Sequence, residues 1–146
     1  MISNRCQYAL RAVLALAERE GGPPAPIAEI AAAQKIPQRF LEVILRQLKQ
    51  NGITDSFRGK DGGYRLARPA EEITMADVVR VFEGPLLAGR EADEGEAQYR
   101  FCGEVFEDAW READARVDEV LRSVTFKHLA ERQGRLRARF VTDWSI

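Results

Sequence analysis

Between Ile53 and Leu66 the chain places two short alternating runs, Ile53 to Phe57 and Tyr64 to Leu66, around Arg58-Gly59-Lys60-Asp61-Gly62-Gly63. Few folds can use such a segment. Three glycines in six residues rule out a continuing helix, and the alternation on either side reads as a β-hairpin with a glycine-rich, basic tip. What precedes the hairpin narrows the choice further. Pro26 opens a short helix through Ile27-Ala28-Glu29-Ile30-Ala31-Ala32-Ala33, and Pro37 opens a longer one through Phe40, Leu41, Ile44, Leu45 and Leu48. Asn51-Gly52 supplies a left-handed stop. Two helices joined by a short turn make a helix-turn-helix, and a hairpin directly after it is a wing.

The second helix carries Gln38, Arg39, Glu42, Arg46 and Lys49 on the face away from its apolar stripe. Taken alone, that face would suit any solvated helical hairpin. The wing adds direction, because glycines let its backbone approach a phosphate or enter a narrow groove, and Arg58, Lys60, Arg65 and Arg68 bring positive charge. A nucleotide-binding loop would need the G-x-x-x-x-G-K-[ST] spacing, which is absent. Charge is also divided along the chain. Residues 1–70 hold eleven Lys and Arg against six Asp and Glu, whereas residues 71–146 hold eleven against seventeen. A basic first half inside a chain of net charge −1 points to contact with nucleic acid.

The remaining segments are mostly helical. Leu10, Val13, Leu14 and Leu16 give Tyr8 to Glu18 one apolar face, and Gly21-Gly22-Pro23-Pro24 ends it. Thr74 with Asp77 forms a capping box for a helix whose buried stripe is Met75, Val78, Val79 and Phe82, closed by Glu83-Gly84-Pro85. Residues 86–100 lack periodicity and read as a flexible loop. From about Gly103, Phe106, Trp110, Ala113, Val117, Val120 and Val124 recur at heptad spacing among charged residues, a seam suited to a partner helix from a second subunit, with packing inside one chain as the alternative. Thr125 to Gln133 reads as a further short helix, and the arginine-rich tail through Phe140, Val141 and Trp144 is ambiguous. The expected fold is mainly α with a small β-hairpin wing. It divides into a winged helix-turn-helix domain over 1–84, a flexible loop over 85–102, and a dimerisation helix with C-terminal segment over 103–146.

At 146 residues, 45 % hydrophobic and 31 % charged, the chain has the composition of one ordinary globular domain. No apolar run reaches the roughly 18 residues of a spanning helix, and the N-terminus lacks the apolar core of a secretion signal. The expectation is a cytoplasmic protein without membrane contact. Its two cysteines, Cys6 and Cys102, make neither a disulfide framework nor a metal knuckle. With one histidine, no nucleophile elbow and no metal-ligand cluster, the sequence does not read as an enzyme.

Tyr8-Ala9-Leu10-Arg11-Ala12-Val13-Leu14-Ala15-Leu16-Ala17, Ile27-x-x-Ile30-Ala31, Phe40-Leu41-Glu42 with Leu48-x-x-x-Gly52, Arg58-Gly59-x-x-Gly62-Gly63-Tyr64-x-Leu66, and Ile73-Thr74 with Asp77-Val78 occur in that order. The set resembles the IscR/NsrR/CymR family of bacterial winged-helix transcriptional regulators, strongly over residues 1–85 and more loosely through Val124-Thr125-Phe126-x-x-Leu129. The resemblance implies a homodimer, paired through the long helices, that places a helix-turn-helix and wing from each subunit on double-stranded DNA. Two-fold symmetry makes the expected operator an inverted repeat, and the expected action is repression. It implies that Gln38, Arg39 and Glu42 read base edges in the major groove while Arg58 enters the adjacent minor groove. Physical chemistry agrees, since arginine pairs bidentately with guanine and glutamine with adenine. Arg46, Lys49, Lys60 and Arg65 suit phosphates, and Gly59, Gly62, Gly63 and Tyr64 of the wing are expected to contact DNA with them.

The chain departs from the family at the cluster site. Many members hold three closely spaced cysteines after the helix that ends near Gly84, and some add a carboxylate just before the Tyr-Ala-Leu motif. Here only Cys102 lies in that region, and Gln7 precedes Tyr8. Four ligands, mostly thiolate, are the usual requirement, so no cofactor is expected, and Cys102 remains a candidate redox thiol. Two alternatives stay open: a winged-helix scaffold that binds protein rather than DNA, and an iron–sulfur or thiol-based redox sensor of the same family. A protein or small molecule could serve as effector.

Overall fold

Ser3 accepts a hydrogen bond from the Cys6 N–H and so starts α1 (Asn4–Ala17), four residues earlier than the apolar pattern indicates. The computed structural model describes residues 2–86 and 100–143. After α1 come α2 (Ile27–Gln34), α3 (Gln38–Gln50), the strands β1 (Thr54–Phe57) and β2 (Gly63–Leu66), a 3-10 turn (Ala70–Glu72), α4 (Met75–Phe82), α5 (Arg100–Arg122) and α6 (Phe126–Asp143). Pro26 and Pro37 occupy the N-cap positions of α2 and α3, where their missing N–H costs nothing. Gly52, at φ +70°, lets the chain leave α3. The Thr74–Asp77 capping box forms in both directions at the head of α4.

β1 and β2 pair antiparallel with Thr54 opposite Leu66 and Phe57 opposite Gly63. Ala25 adds a short third rung by exchanging both backbone hydrogen bonds with Tyr64 at 2.8 Å. The hairpin's alternation is not the apolar-in, polar-out pattern expected. Thr54 is fully buried and donates its hydroxyl to the Leu45 carbonyl, whereas Phe57 is exposed.

The core gathers Val13 and Leu16 of α1, Ile30 of α2, Leu41, Ile44, Leu45 and Leu48 of α3, Ile53, Ile73, Val78 of α4 and Phe126 of α6. Phe126 is 1 % exposed, and its N–H bonds to the Ile73 carbonyl, so the start of α6 belongs to the same core as the helix-turn-helix. Met75 and Phe82, expected in the buried stripe of α4, are only half-buried, while Ala76 replaces them beside Val78 and Val79.

The C-terminal boundaries also shift. α5 begins at Arg100, inside the segment expected to be loop, and α6 continues ten residues past Gln133 to Asp143. The rest of the expected loop, 87–99, and Trp144 lie outside the described residues. α5 ends at Arg122, so Val124, assigned to the heptad seam, lies beyond the helix, where its carbonyl accepts the Met75 N–H. Asp118 accepts from both Arg80 of α4 (2.5 Å) and Arg122 (2.6 Å), which ties the long helix to the winged domain. The two guanidiniums, Arg122 foremost, hold the Asp118 carboxyl below its ordinary range.

Candidate nucleic-acid interface

The buried stripe of α3, Leu41, Ile44, Leu45 and Leu48, pins one side of the helix to the core. Helical geometry then turns the opposite side outward. Gln38, Arg39, Glu42, Arg46 and Lys49 are all exposed there. Gln38 donates to Glu42 one turn on, at 3.4 Å, and the Arg39 guanidinium lies over the Phe40 ring, 4.9 Å from its centroid. Both contacts limit the rotamers of groups that would otherwise sample freely.

The wing is joined to this helix. Lys49 Nζ donates to Ser56 Oγ at 2.5 Å, which links the last turn of α3 to β1. Ser56 is not among the residues that the sequence marks, because no local motif points to it. On the wing itself Arg58, Lys60 and Arg65 are exposed, with Arg65 stacked 4.3 Å from the centroid of the Phe57 ring. An exposed phenylalanine thus serves as the platform for an arginine.

The wing's glycines have structural duties. A Cβ on Gly62 would stand 2.3 Å from the Phe57 carbonyl oxygen, and one on Gly63 would stand 2.3 Å from the Ala25 carbonyl oxygen. Gly59 has open space around it but a φ of +107°. Tyr64 is half-buried against the core, its backbone paired with Ala25. Arg68 departs from the expected basic tip: it turns inward, donating to the carbonyls of Gly52 (3.4 Å) and Glu72 (3.0 Å) and pairing with Asp77 at 3.6 Å.

The remaining sequence-derived residues fall elsewhere. On α5, Phe106, Trp110 and Val120 are 55 %, 48 % and 63 % exposed, whereas Ala113 and Val117 are half-buried. Val117 and Leu121 face α4 across a cleft of about 480 Å³. The backbone of Cys102 belongs to the first turn of α5, and its side chain lies outside the described residues. Cys6 is buried in α1, where burial, with Glu83 nearby, pushes its thiol up to about 12. Glu83 in turn accepts from the Ser3 backbone N–H (2.8 Å) and hydroxyl (2.5 Å), which holds its carboxyl below the ordinary value.

An exposed polar face on the second helix of a helix-turn-helix, with a basic hairpin bonded to its end, is an arrangement for reading a duplex. Comparison with known proteins agrees. A protein named as a putative HTH-type transcriptional regulator of Mycobacterium tuberculosis is 38 % identical over 129 residues, covering 88 % of this chain and 80 % of the relative. The structure described as CymR, the global cysteine regulator of B. subtilis, superposes with a TM-score of 0.72 at 31 % identity, covering 90 % of this chain and 97 % of that one. IscR of T. potens gives a TM-score of 0.73 at 28 % identity, over 91 % and 88 %. Residues 2–132 match the model of the Rrf2 family, described as an iron-dependent transcriptional regulator. The chain is a DNA-binding regulator with a winged helix-turn-helix, and it belongs to the Rrf2 family.

Proposed function

We propose that the chain is a sequence-specific repressor that acts in the cytoplasm as a homodimer on an inverted-repeat operator, by binding rather than by catalysis. The observation that carries this reading is the exposed polar face of α3 held beside the basic wing by the Lys49–Ser56 bond. Gln38, Arg39 and Glu42 read base edges in the major groove, Arg46, Lys49, Lys60 and Arg65 hold phosphates, and Arg58 enters the adjacent minor groove. Phe106, Trp110 and Val120 supply the apolar face through which two subunits pair along α5.

The family description raises the question of iron. The chain's thiols are Cys6 and Cys102 and its one imidazole is His128. Cys6 is buried with its proton held tightly, the reverse of a thiolate donor, and His128 is exposed on the first turn of α6. This donor set does not fit an iron–sulfur cluster. The regulator reading is tested by titrating the protein into genomic fragments and random duplex at physiological salt. A clear preference for a subset of fragments is expected; equal affinity for all of them would favour a protein-binding scaffold.

A further inference from the structure

The outward stripe of α3 contains one apolar residue that the charge pattern passes over. Arg39, Val43, Arg46 and Gln50 follow at helical intervals of four, three and four, opposite the buried stripe of Leu41, Ile44, Leu45 and Leu48. Val43 is 48 % exposed, with an arginine one turn before it and another one turn after. Among the described residues, only the edge of a groove with Phe40 and Tyr8 touches it. A β-branched residue is a poorer helix former than its neighbours, and half of its side chain gains no burial.

Duplex DNA presents one apolar group in the major groove, the C5 methyl of thymine. Arginines on either side of Val43, bound to a base edge or a phosphate, would press the side chain between them toward the base edges. We propose that Val43 is a specificity-determining residue that packs on a thymine methyl in each half-site. The inference rests on the placement of α3 in the major groove given above. Phe40 and Val43 also line a shallow groove with Tyr8 of α1, so coverage by a second copy of the chain is the competing use of this surface.

The test starts from a duplex recovered by selection from a random pool. Each thymine of one half-site is replaced singly by uracil, which lacks only the methyl, and binding is measured for the wild type and Val43→Ala. Circular dichroism checks that the variant is folded. At one position the wild type should lose about fourfold in affinity, the worth of one buried methyl group. Val43→Ala should bind the thymine and uracil duplexes equally there. The proposal is overturned if no thymine-to-uracil change weakens the wild type, if the half-site contains no thymine, or if the loss persists in Val43→Ala. It is equally overturned if Val43→Ala weakens self-association in sedimentation while leaving the thymine-to-uracil ratio unchanged. A selection that returns no preferred sequence removes the DNA reading itself, and Val43 with it.

Discussion

The Ala25 carbonyl oxygen lies 2.3 Å from where a Cβ on Gly63 would stand, so the wing can close against the helix-turn-helix only if residue 63 has no side chain. The two Ala25–Tyr64 hydrogen bonds sit directly beside this contact. Gly63→Ala should therefore cost about 3 kcal/mol or more, since backbone rather than a flexible side chain must move. Gly59→Ala, with open space but a positive φ, should cost about 1–2 kcal/mol. Denaturant titration of the two variants measures the difference, and equal costs would show that the Ala25 rung is not formed.

The two exposed cations at the wing tip should fail in different ways. Lys60→Ala removes a phosphate contact, so affinity should fall almost equally on all sequences and the salt dependence should flatten by about one unit. Arg58→Ala should weaken binding and also blunt any preference for A·T steps beneath the wing. Anisotropy titrations over a range of salt concentrations, on A·T-rich and G·C-rich flanks, separate the two effects.

Trp110 is half exposed on α5, and burying it between subunits would remove a large apolar surface from water. Trp110→Ala should weaken the dimer by about 3 kcal/mol, the typical cost of deleting a buried aromatic. Sedimentation equilibrium should show dissociation at concentrations where the wild type remains paired. A variant that stays fully dimeric at low concentration would place the subunit contact elsewhere.

Cys6 makes stability sensitive to alkali. Its thiol is raised from the ordinary 9.0 to about 12, so above pH 9 the unfolded chain releases a proton that the folded chain keeps. The stability it contributes is complete below pH 9 and is lost progressively as pH rises toward 12. The melting temperature of the wild type should fall more steeply over that range than that of Cys6→Ala. Parallel curves would mean that the thiol is not shielded in the folded protein.

Much of this architecture is legible in the residues because its signals are local. The Thr74–Asp77 box, the Gly52 exit and the hairpin around Arg58 to Gly63 each depend on neighbours within a few positions. What escapes is set by distant partners. Arg68 reads as part of the basic tip, yet Gly52, Glu72 and Asp77 draw it inward. Gly63 reads as a phosphate-approach residue, and its close packing on Ala25, far back in the chain, is not legible beside that. Val43 escapes for a different reason, because an apolar side chain inside a polar stripe carries no charge to mark it. The continuation of α6 to Asp143 escapes because its apolar residues thin out after Leu129, and Leu136, Phe140 and Val141 are exposed.

In the proposed dimer, two copies of α3 and its wing face one duplex side by side. Selection of bound fragments from a random pool, repeated with Arg39→Ala, reads out that geometry. The expected result is an inverted repeat with half-sites about one helical turn, roughly 34 Å, apart, and relaxed preference at one position per half-site in the variant. An unenriched pool, or a single unpaired half-site left unchanged by Arg39→Ala, would contradict it.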